Sequence, residues 1–211
     1  MTVLAVDQGY HFCSVAVQQE NRVAQKILSF DAGHLNHSLT CFFLSVVNDL
    51  CSHCGITLEN IEAIAATTGP ASFTGLRAVL AVLQGIAFAR KVKVFTCTRL
   101  ELQAFIAFQE NPLMKAYQAV LDNQRGDAFI QTFKKNHNIP LAVSDVGLLS
   151  EVIAVHQNPR NIRETTEANE KTDTGIFLLK WIQQDNTLLY GTYRDLRPFY
   201  GHTPTFKKKF L

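Results

Sequence analysis

The 211-residue sequence is short of charge: only 18% of its residues are Asp, Glu, Lys or Arg, and the formal net charge is +2. Such a balance gives no general electrostatic reason to expect direct nucleic-acid binding. The run Lys207–Lys209 is a local exception, which we interpret as a solvated tail. The longest apolar segment, Leu76–Ala89, has about 14 residues, whereas a membrane span needs about 20. We therefore predict no membrane association.

The sequence also lacks the features of a secreted protein. Met1 leads directly into an apolar run, with no basic segment or cleavage site of a signal peptide. Five cysteines, an odd number, show no disulfide framework. Free thiols are typical of a reducing compartment, so we predict a cytoplasmic protein.

Histidine and cysteine do not have the spacing of a metal centre. His34 and His37 precede a predicted helix, and Cys51 and Cys54 lie near its far end. At about 1.5 Å per helical residue the two pairs are roughly 25 Å apart. A structural zinc needs four converging ligands, so we predict no metal site.

The most informative stretch that is present is residues 65–90, AATTGPASFTGLRAVLAVLQGIAFAR. An apolar run ends in a loop rich in turn residues, and Leu76–Ala89 follows with an apolar side chain on nearly every helical face. The pattern predicts a strand, a tight loop and a buried helix. Free amides at the start of such a helix can hold a phosphate. Because the loop has no Walker lysine, we favour a packing role.

The chain opens with predicted strands at Thr2–Asp7, Phe12–Val17 and Val23–Phe30. Asp7 and Gly9 occupy the first turn and are the candidates for cofactor binding. We interpret Asp7 as a structural residue that ties down its own turn. We identify no catalytic residue, because no nucleophile and base stand at an interpretable spacing.

Residues Leu35–Cys54 have apolar side chains at helical spacing, with Gly55 at the position that ends the helix. The apolar stripe is wide enough to serve the protein's own core on one side and a partner on the other. Further on, Val92–Phe95 is predicted as a strand and Leu100–Phe108 as a helix. We place a boundary after it, between a lobe at residues 1–108 and a lobe at residues 109–211.

The second half predicts fewer elements. A hairpin is indicated by strands at Tyr117–Asp122 and Asp127–Phe133, joined through Gly126. Residues Asn158–Thr174 are polar and loop-like, and Ile176–Gln183 is predicted as a helix. Asp7, Asp122 and Asp173 are the acids that could converge in space.

The loop of the central stretch resembles the signature of the TsaB (YeaZ) family, bacterial tRNA threonylcarbamoyladenosine biosynthesis proteins related to the transferase TsaD. The matching residues are Gly69, Pro70, Ser72, Phe73, Thr74, Gly75, Leu76 and Arg77. Ala71 departs from the family's usual glycine. The resemblance implies an α/β fold of the actin-like or RNase H-like (ASKHA) class, with two lobes of which the second is shortened. Leu196–Tyr200 resembles the family's closing strand, so the resemblance implies a strand there.

The same resemblance implies a non-catalytic partner of TsaD that acts with the ATPase TsaE. The transferase has a His-x-x-x-His metal site, and no two histidines here are four residues apart. ATP and metal would then belong to the partner subunits, this chain would have no cofactor of its own, and tRNA would be reached only through the complex.

The family's helical bundle implies that the two apolar helices dock TsaD or a second copy of the chain. The predicted interface residues are Leu39, Phe42, Phe43, Val46, Leu50, Leu76, Val79, Leu80 and Leu83. We accordingly expect Phe43→Glu or Val46→Glu to break association without unfolding the monomer.

Two alternatives are enzymes. A small actin-like ATPase or kinase would use Asp7 and the Gly69–Gly75 loop for phosphates, but Tyr10 and His11 stand where hydroxyl residues would help. Peptidase activity has been suggested for the family and ranks last, because no Ser–His or Cys–His arrangement can be recognised.

Overall fold

The computed structural model describes residues 1–29, 35–122, 127–136, 139–144, 146–150, 174–184 and 190–200. Within these ranges the first half of the chain builds a five-stranded sheet of order β3-β2-β1-β4-β5. Its strands are β1 Val3–Gln8, β2 Phe12–Gln19, β3 Arg22–Ser29, β4 Ala63–Thr67 and β5 Lys93–Cys97. β1, β4 and β5 run parallel, and β2 and β3 are joined to them as antiparallel hairpins. The predicted strands of this half are confirmed to within two residues.

Helices cover both faces of this sheet. They are α1 Leu35–His53, α2 Phe73–Arg90, α3 Arg99–Glu110 and α4 Thr174–Gln184. Because side chains alternate along a strand, Leu4 and Val6 of β1 pack with α1 and α2, whereas Val3 and Ala5 pack with α3 and α4. Coverage on two faces explains why all six residues of β1 are buried.

A second, smaller sheet follows α3. Its strands are β6 Ala116–Asp122, β7 Asp127–Asn136, β8 Ile139–Ala142 and β9 Gly147–Ser150. β6 and β7 pair antiparallel, with Tyr117 opposite Phe133, so the predicted hairpin is confirmed. Its turn, residues 123–126, lies outside the described residues. α3 connects the two sheets, because Leu102 and Phe105 belong to one core and Leu100 and Phe108 to the other.

The C-terminal elements return to the first sheet. α4, predicted at Ile176–Gln183 and observed from Thr174, packs on β1 and β2. Residues 190–200, which we call the strap, lie along α2. The strand predicted at Leu196–Tyr200 is wrong: a 3-10 turn at Tyr193–Asp195 is followed by a segment that lies outside any strand. Residues of the predicted second lobe thus complete the core of the first, and Asn158–Asp173 lies outside the described residues.

α2 differs from the prediction in length and in burial. It has 18 residues with a mean hydropathy of 1.3, so by length and composition it could cross a membrane. The core helix of a soluble protein meets the same test, and one face of α2 packs on the sheet through Leu76, Leu80 and Leu83. The opposite face is exposed, so the helix is not buried all round. Ser72 precedes α2 without a capping side-chain hydrogen bond.

Candidate functional site

The candidate site lies at the edge of the sheet where β1, β4 and β5 end. At this edge, the loop after β4 forms backbone hydrogen bonds with two other segments of the chain. The Thr68 amide donates to the Cys97 carbonyl at 2.8 Å, and the Phe199 amide donates to the Thr68 carbonyl at 2.7 Å. Gly69 has φ +112°, and a Cβ there would lie 2.6 Å from the Phe199 carbonyl oxygen. The signature glycine is therefore required by backbone conformation and by close approach.

Asp7 is fully buried at the end of β1. Its Oδ1 accepts hydrogen bonds from the Thr67 hydroxyl at 2.7 Å and from Arg99 Nε at 3.1 Å. These partners are remote in sequence, so the expectation that Asp7 ties down its own turn is wrong. The turn is closed instead by the Gly9 amide, which donates to the Phe12 carbonyl at 2.8 Å. No sequence pattern indicates the role of Arg99, because a single arginine at a helix start carries no signal for a partner 92 residues away.

Gln8 fills the space in front of α2. It is 1% exposed, and its Nε2 donates to the Gly9 carbonyl at 2.8 Å. The same nitrogen would lie 3.1 Å from a Cβ at Gly75, in the first turn of α2. An anion at that helix terminus would need the space that the Gln8 amide occupies. The predicted packing role of the loop fits this geometry better than phosphate binding does.

The start of α4 is docked in a similar way. Ser14 stands opposite Asp7 in the sheet register and is fully buried. Its hydroxyl accepts a hydrogen bond from the Gly175 amide at 3.1 Å. The first turn of α4 is thus held against the sheet by this chain's own side chain. Of the other acids proposed to converge, Asp122 is exposed at the end of β6, and Asp173 lies outside the described residues.

These residues do not fit a nucleotide or a metal ion. The carboxylate of Asp7 already has a positive partner in Arg99, and Gln8 and Ser14 occupy the approaches to two helix termini. Among the residues described, no group of three or more His, Cys, Asp and Glu side chains converges. His34 and the side chain of His37 lie outside that description.

The predicted partner interface is wrong for seven of its nine residues. Because α1 and α2 turn these side chains toward the sheet and each other, they are at most 5% exposed and form the first core: Phe43, Val46, Leu50, Leu76, Val79, Leu80 and Leu83. Phe42 is the exception at 59% exposed, and the side chain of Leu39 lies outside the described residues. Helical periodicity in the sequence shows an apolar face but does not show what covers it.

Some of the side chains that the two helices expose are nevertheless apolar. Phe42 and Leu44 are exposed on α1. On α2 the solvent-facing row includes Ala81, Gly85 and Phe88, of which Phe88 is 65% exposed. We call these five residues the outer patch. No charged side chain stands among its three α2 positions.

Two further signature residues, Phe73 and Arg77, hold the strap. Arg77 Nε donates to the Tyr200 hydroxyl at 2.6 Å, and its guanidinium lies 4.1 Å from the centre of the Phe73 ring. Phe73 and Tyr200 stack with their ring centres 5.3 Å apart. Further along α2, Gln84 Nε2 donates to the Leu196 carbonyl at 2.8 Å. Arg77 of the signature therefore fastens the C-terminal strap to the start of α2.

The four cysteines whose side chains the structure describes are buried thiols. Burial, with Cys54 close by, raises the pKa of Cys51 to about 11. Burial and the charge of Asp7 raise the pKa of Cys13 far above its ordinary value, and the Cys97 thiol is shifted in the same direction by burial, Glu101 and Asp7. Such thiols are poor nucleophiles and poor metal ligands.

The strand order, the acid at the end of β1 and the helices on both faces define an α/β protein of the actin-like or RNase H-like class. Comparisons with known proteins agree. The family model described as TsaD, tRNA N6-adenosine threonylcarbamoyltransferase, matches residues 35–152. The structure of YeaZ from Pseudomonas aeruginosa matches with a TM-score of 0.69 and 20% identity, over 94% of this chain and 99% of that one.

Two curated relatives carry the name tRNA threonylcarbamoyladenosine biosynthesis protein TsaB. The Escherichia coli protein is 26% identical over 65% of this chain and 57% of its own length. The protein of Buchnera aphidicola subsp. Baizongia pistaciae is 25% identical over 71% of this chain and 66% of its own length. This chain belongs to the TsaB family, within the wider family of TsaD. It matches less than two thirds of the length of either relative.

Proposed function

We propose that this protein is a non-catalytic partner of a TsaD-like transferase in tRNA threonylcarbamoyladenosine biosynthesis in the cytoplasm. In this proposal a TsaE-like ATPase completes the complex, ATP and metal are held by the partners, and tRNA is reached only through them. Support comes from the family and the names of the relatives. The observation that carries the non-catalytic assignment is the buried edge of the sheet. There Arg99 already pairs with the Asp7 carboxylate, and the Gln8 amide occupies the space that a phosphate would need at the start of α2.

The proposed docking surface is the outer patch: Phe42, Leu44, Ala81, Gly85 and Phe88. Phe42 and Phe88 are 59% and 65% exposed, and large exposed aromatic side chains are typical of protein interfaces. A Cβ at Gly85 would meet nothing within 4 Å, so this part of α2 offers room for a partner helix. The same surface would serve a homodimer, and the two assemblies would then compete.

The test is co-purification with the organism's TsaD on a sizing column, with and without ATP and TsaE. Phe88→Glu should remove the complex, because a charge buried without a partner costs several kcal/mol. A cost of about 2.7 kcal/mol already weakens binding about 100-fold. The matched control is Leu113→Glu, which places the same charge at a leucine 89% exposed after α3 and should leave binding unchanged.

Reconstituted tRNA modification provides the second readout. A complex that modifies tRNA only when this inert chain is present would support the proposal. No complex, together with ATP turnover by this chain alone, would contradict it and favour the small ATPase. If Phe88→Glu and Leu113→Glu both bind like the original protein, the docking surface is not the outer patch.

A further inference from the structure

A groove runs along the outer edge of the first sheet. β3 is the edge strand in the order β3-β2-β1-β4-β5, and β2 is its neighbour among the described strands. The groove has a volume of about 740 Å³. One wall is formed by the consecutive residues 21–26, and the other by the end of α1, through Asp49, Leu50, His53 and Cys54. An open groove between an edge strand and a helix is suited to an extended peptide that adds a strand to the sheet.

The edge of β3 directs backbone groups outward. A two-residue turn joins β2 to β3 and pairs Gln19 with Arg22. In an antiparallel hairpin closed in this way, the two residues that flank the turn bond to each other, and every second residue after them bonds to the partner strand. Val23 and Ile27 therefore direct their amides and carbonyls away from β2. Val23 is 47% exposed and Lys26 is also exposed, so solvent reaches this strand.

The charges of the groove favour an acidic occupant. Arg22 and Lys26 are four residues apart on β3, so their side chains lie on one face of the strand. Ala24, between them, packs against the first core, which places this face on the side of α1. Among the described residues Lys26 forms no ion pair, and the lining has one acid, Asp49. Arg22 Nη1 donates to the Cys54 carbonyl at 3.4 Å, so it also compensates the negative end of α1.

We propose that this groove binds an extended acidic segment of a partner protein, which joins the first sheet as a sixth strand beside β3. Val23 and Ile27 supply backbone hydrogen bonds, and Arg22 and Lys26 pair with carboxylates four residues apart in the segment. A second copy of this chain fits less well, because pairing two β3 strands would place four cations on one face. The groove shares no residue with the outer patch, so this inference does not depend on the proposed docking surface.

The test is fluorescence polarisation with a labelled peptide, TEVVVET with blocked termini, added to the full chain. Its two glutamates are spaced to meet Arg22 and Lys26, and its valines favour an extended strand. We expect saturable binding that weakens about 10-fold in Lys26→Glu, because an attractive cross-strand pair becomes repulsive. The charge-reversed peptide TKVVVKT should bind Lys26→Glu more tightly than it binds the original protein.

A second peptide separates strand addition from attraction by charge alone. TEVPPET keeps both glutamates, but its adjacent prolines remove one amide that faces β3 whichever way the peptide runs. It should bind about 10-fold more weakly than TEVVVET, the loss expected for a hydrogen bond in the new ladder. Hydrogen exchange gives an independent readout: amides in residues 22–29 should exchange more slowly when TEVVVET is bound.

The matched control is Lys134→Glu, which makes the same charge change on another strand. Lys134 is exposed, but β7 is paired on both sides there, with Ala116 of β6 and Leu141 of β8. This variant should bind TEVVVET like the original protein, and so should Phe88→Glu, which alters only the outer patch.

Saturable binding with these ratios and slower exchange in residues 22–29 would support the proposal. No saturable binding by the original protein, equal binding of TEVPPET, or an equal loss in Lys134→Glu would overturn it. Exchange in residues 22–29 that slows as the protein concentration rises, without peptide, would assign the edge to a second copy and would also overturn it.

Discussion

Two adjacent phenylalanines of α1 provide a direct test of which helix face is core. Phe43 is 1% exposed and packs in the first core, whereas Phe42 is 59% exposed. Truncating a buried phenylalanine to alanine costs about 3–5 kcal/mol, through lost burial and the cavity that remains. Truncating an exposed one changes the free energy of unfolding by about 0.5 kcal/mol or less. Since small proteins have only about 5–15 kcal/mol of stability, the difference is large.

We therefore expect Phe43→Ala to lower the Tm by about 6–20 °C and Phe42→Ala to leave it nearly unchanged. The assays are thermal unfolding for the Tm and urea unfolding for the free energy, both followed by the fluorescence of Trp181, the single tryptophan, which stacks on Phe105 with ring centres 6.0 Å apart. Far-ultraviolet circular dichroism checks that both signals report one transition. A loss below about 1 kcal/mol for Phe43→Ala, or an equal loss for Phe42→Ala, would refute the assigned helix face. The result also decides against Phe43→Glu as an interface probe, because that variant should unfold the monomer.

Two further predictions concern the strap and the thiols. Leu196→Ala should lower the free energy of unfolding in urea by about 2–5 kcal/mol, because Leu196 is 0% exposed in the first core. The exposed control, Leu113→Ala, should leave this free energy almost unchanged. Equally small losses in the two variants would show that the strap does not complete this core. Ellman's reagent should label Cys13, Cys51 and Cys97 slowly in the native protein and rapidly in urea, because burial raises the pKa of each. Since native Cys51 keeps its proton to about pH 11 against an ordinary pKa of 9.0, the native state binds more protons in that interval. The free energy of unfolding should therefore fall as pH rises above 9.0 toward about 11. Fast labelling of the native protein, or a free energy of unfolding that rises over this interval, would contradict the assignment of these cysteines as buried thiols.

Local signals in the sequence were sufficient for most of the secondary structure. Alternation and short apolar runs predicted the strands of the first sheet, and helical spacing predicted α1, α3 and α4. Gly55 was expected to end α1 and has φ +75° in the loop that follows it. The signature loop could be recognised in the sequence because two of its positions require glycine. Gly69 has a positive φ and lies close to the Phe199 carbonyl, and Gly75 lies close to the Gln8 side chain. The actin-like fold was implied by the family resemblance of this loop.

The site depended on contacts that no local pattern encodes. Asp7 meets Arg99 across 92 positions of sequence, and Arg77 meets Tyr200 across 123. The two residues of each pair lie in different secondary-structure elements, so the sequence around one residue does not indicate its partner.

The division of α1 and α2 between core and surface was undetermined for a related reason. Both helices carry apolar side chains on more than one face. Because the hydrophobic effect is non-directional, the sequence does not show which of these faces packs against the sheet. By itself, the sequence determined most of the helices and strands, the signature loop and the family resemblance. The tertiary structure alone decided that Phe43 is core while Phe42 is surface, that the strap closes the first core, and that Asp7 is neutralised from within. The physical reason is that burial and charge pairing are set by the packing of distant segments, whereas strands, helices and turns are set by neighbours in the chain.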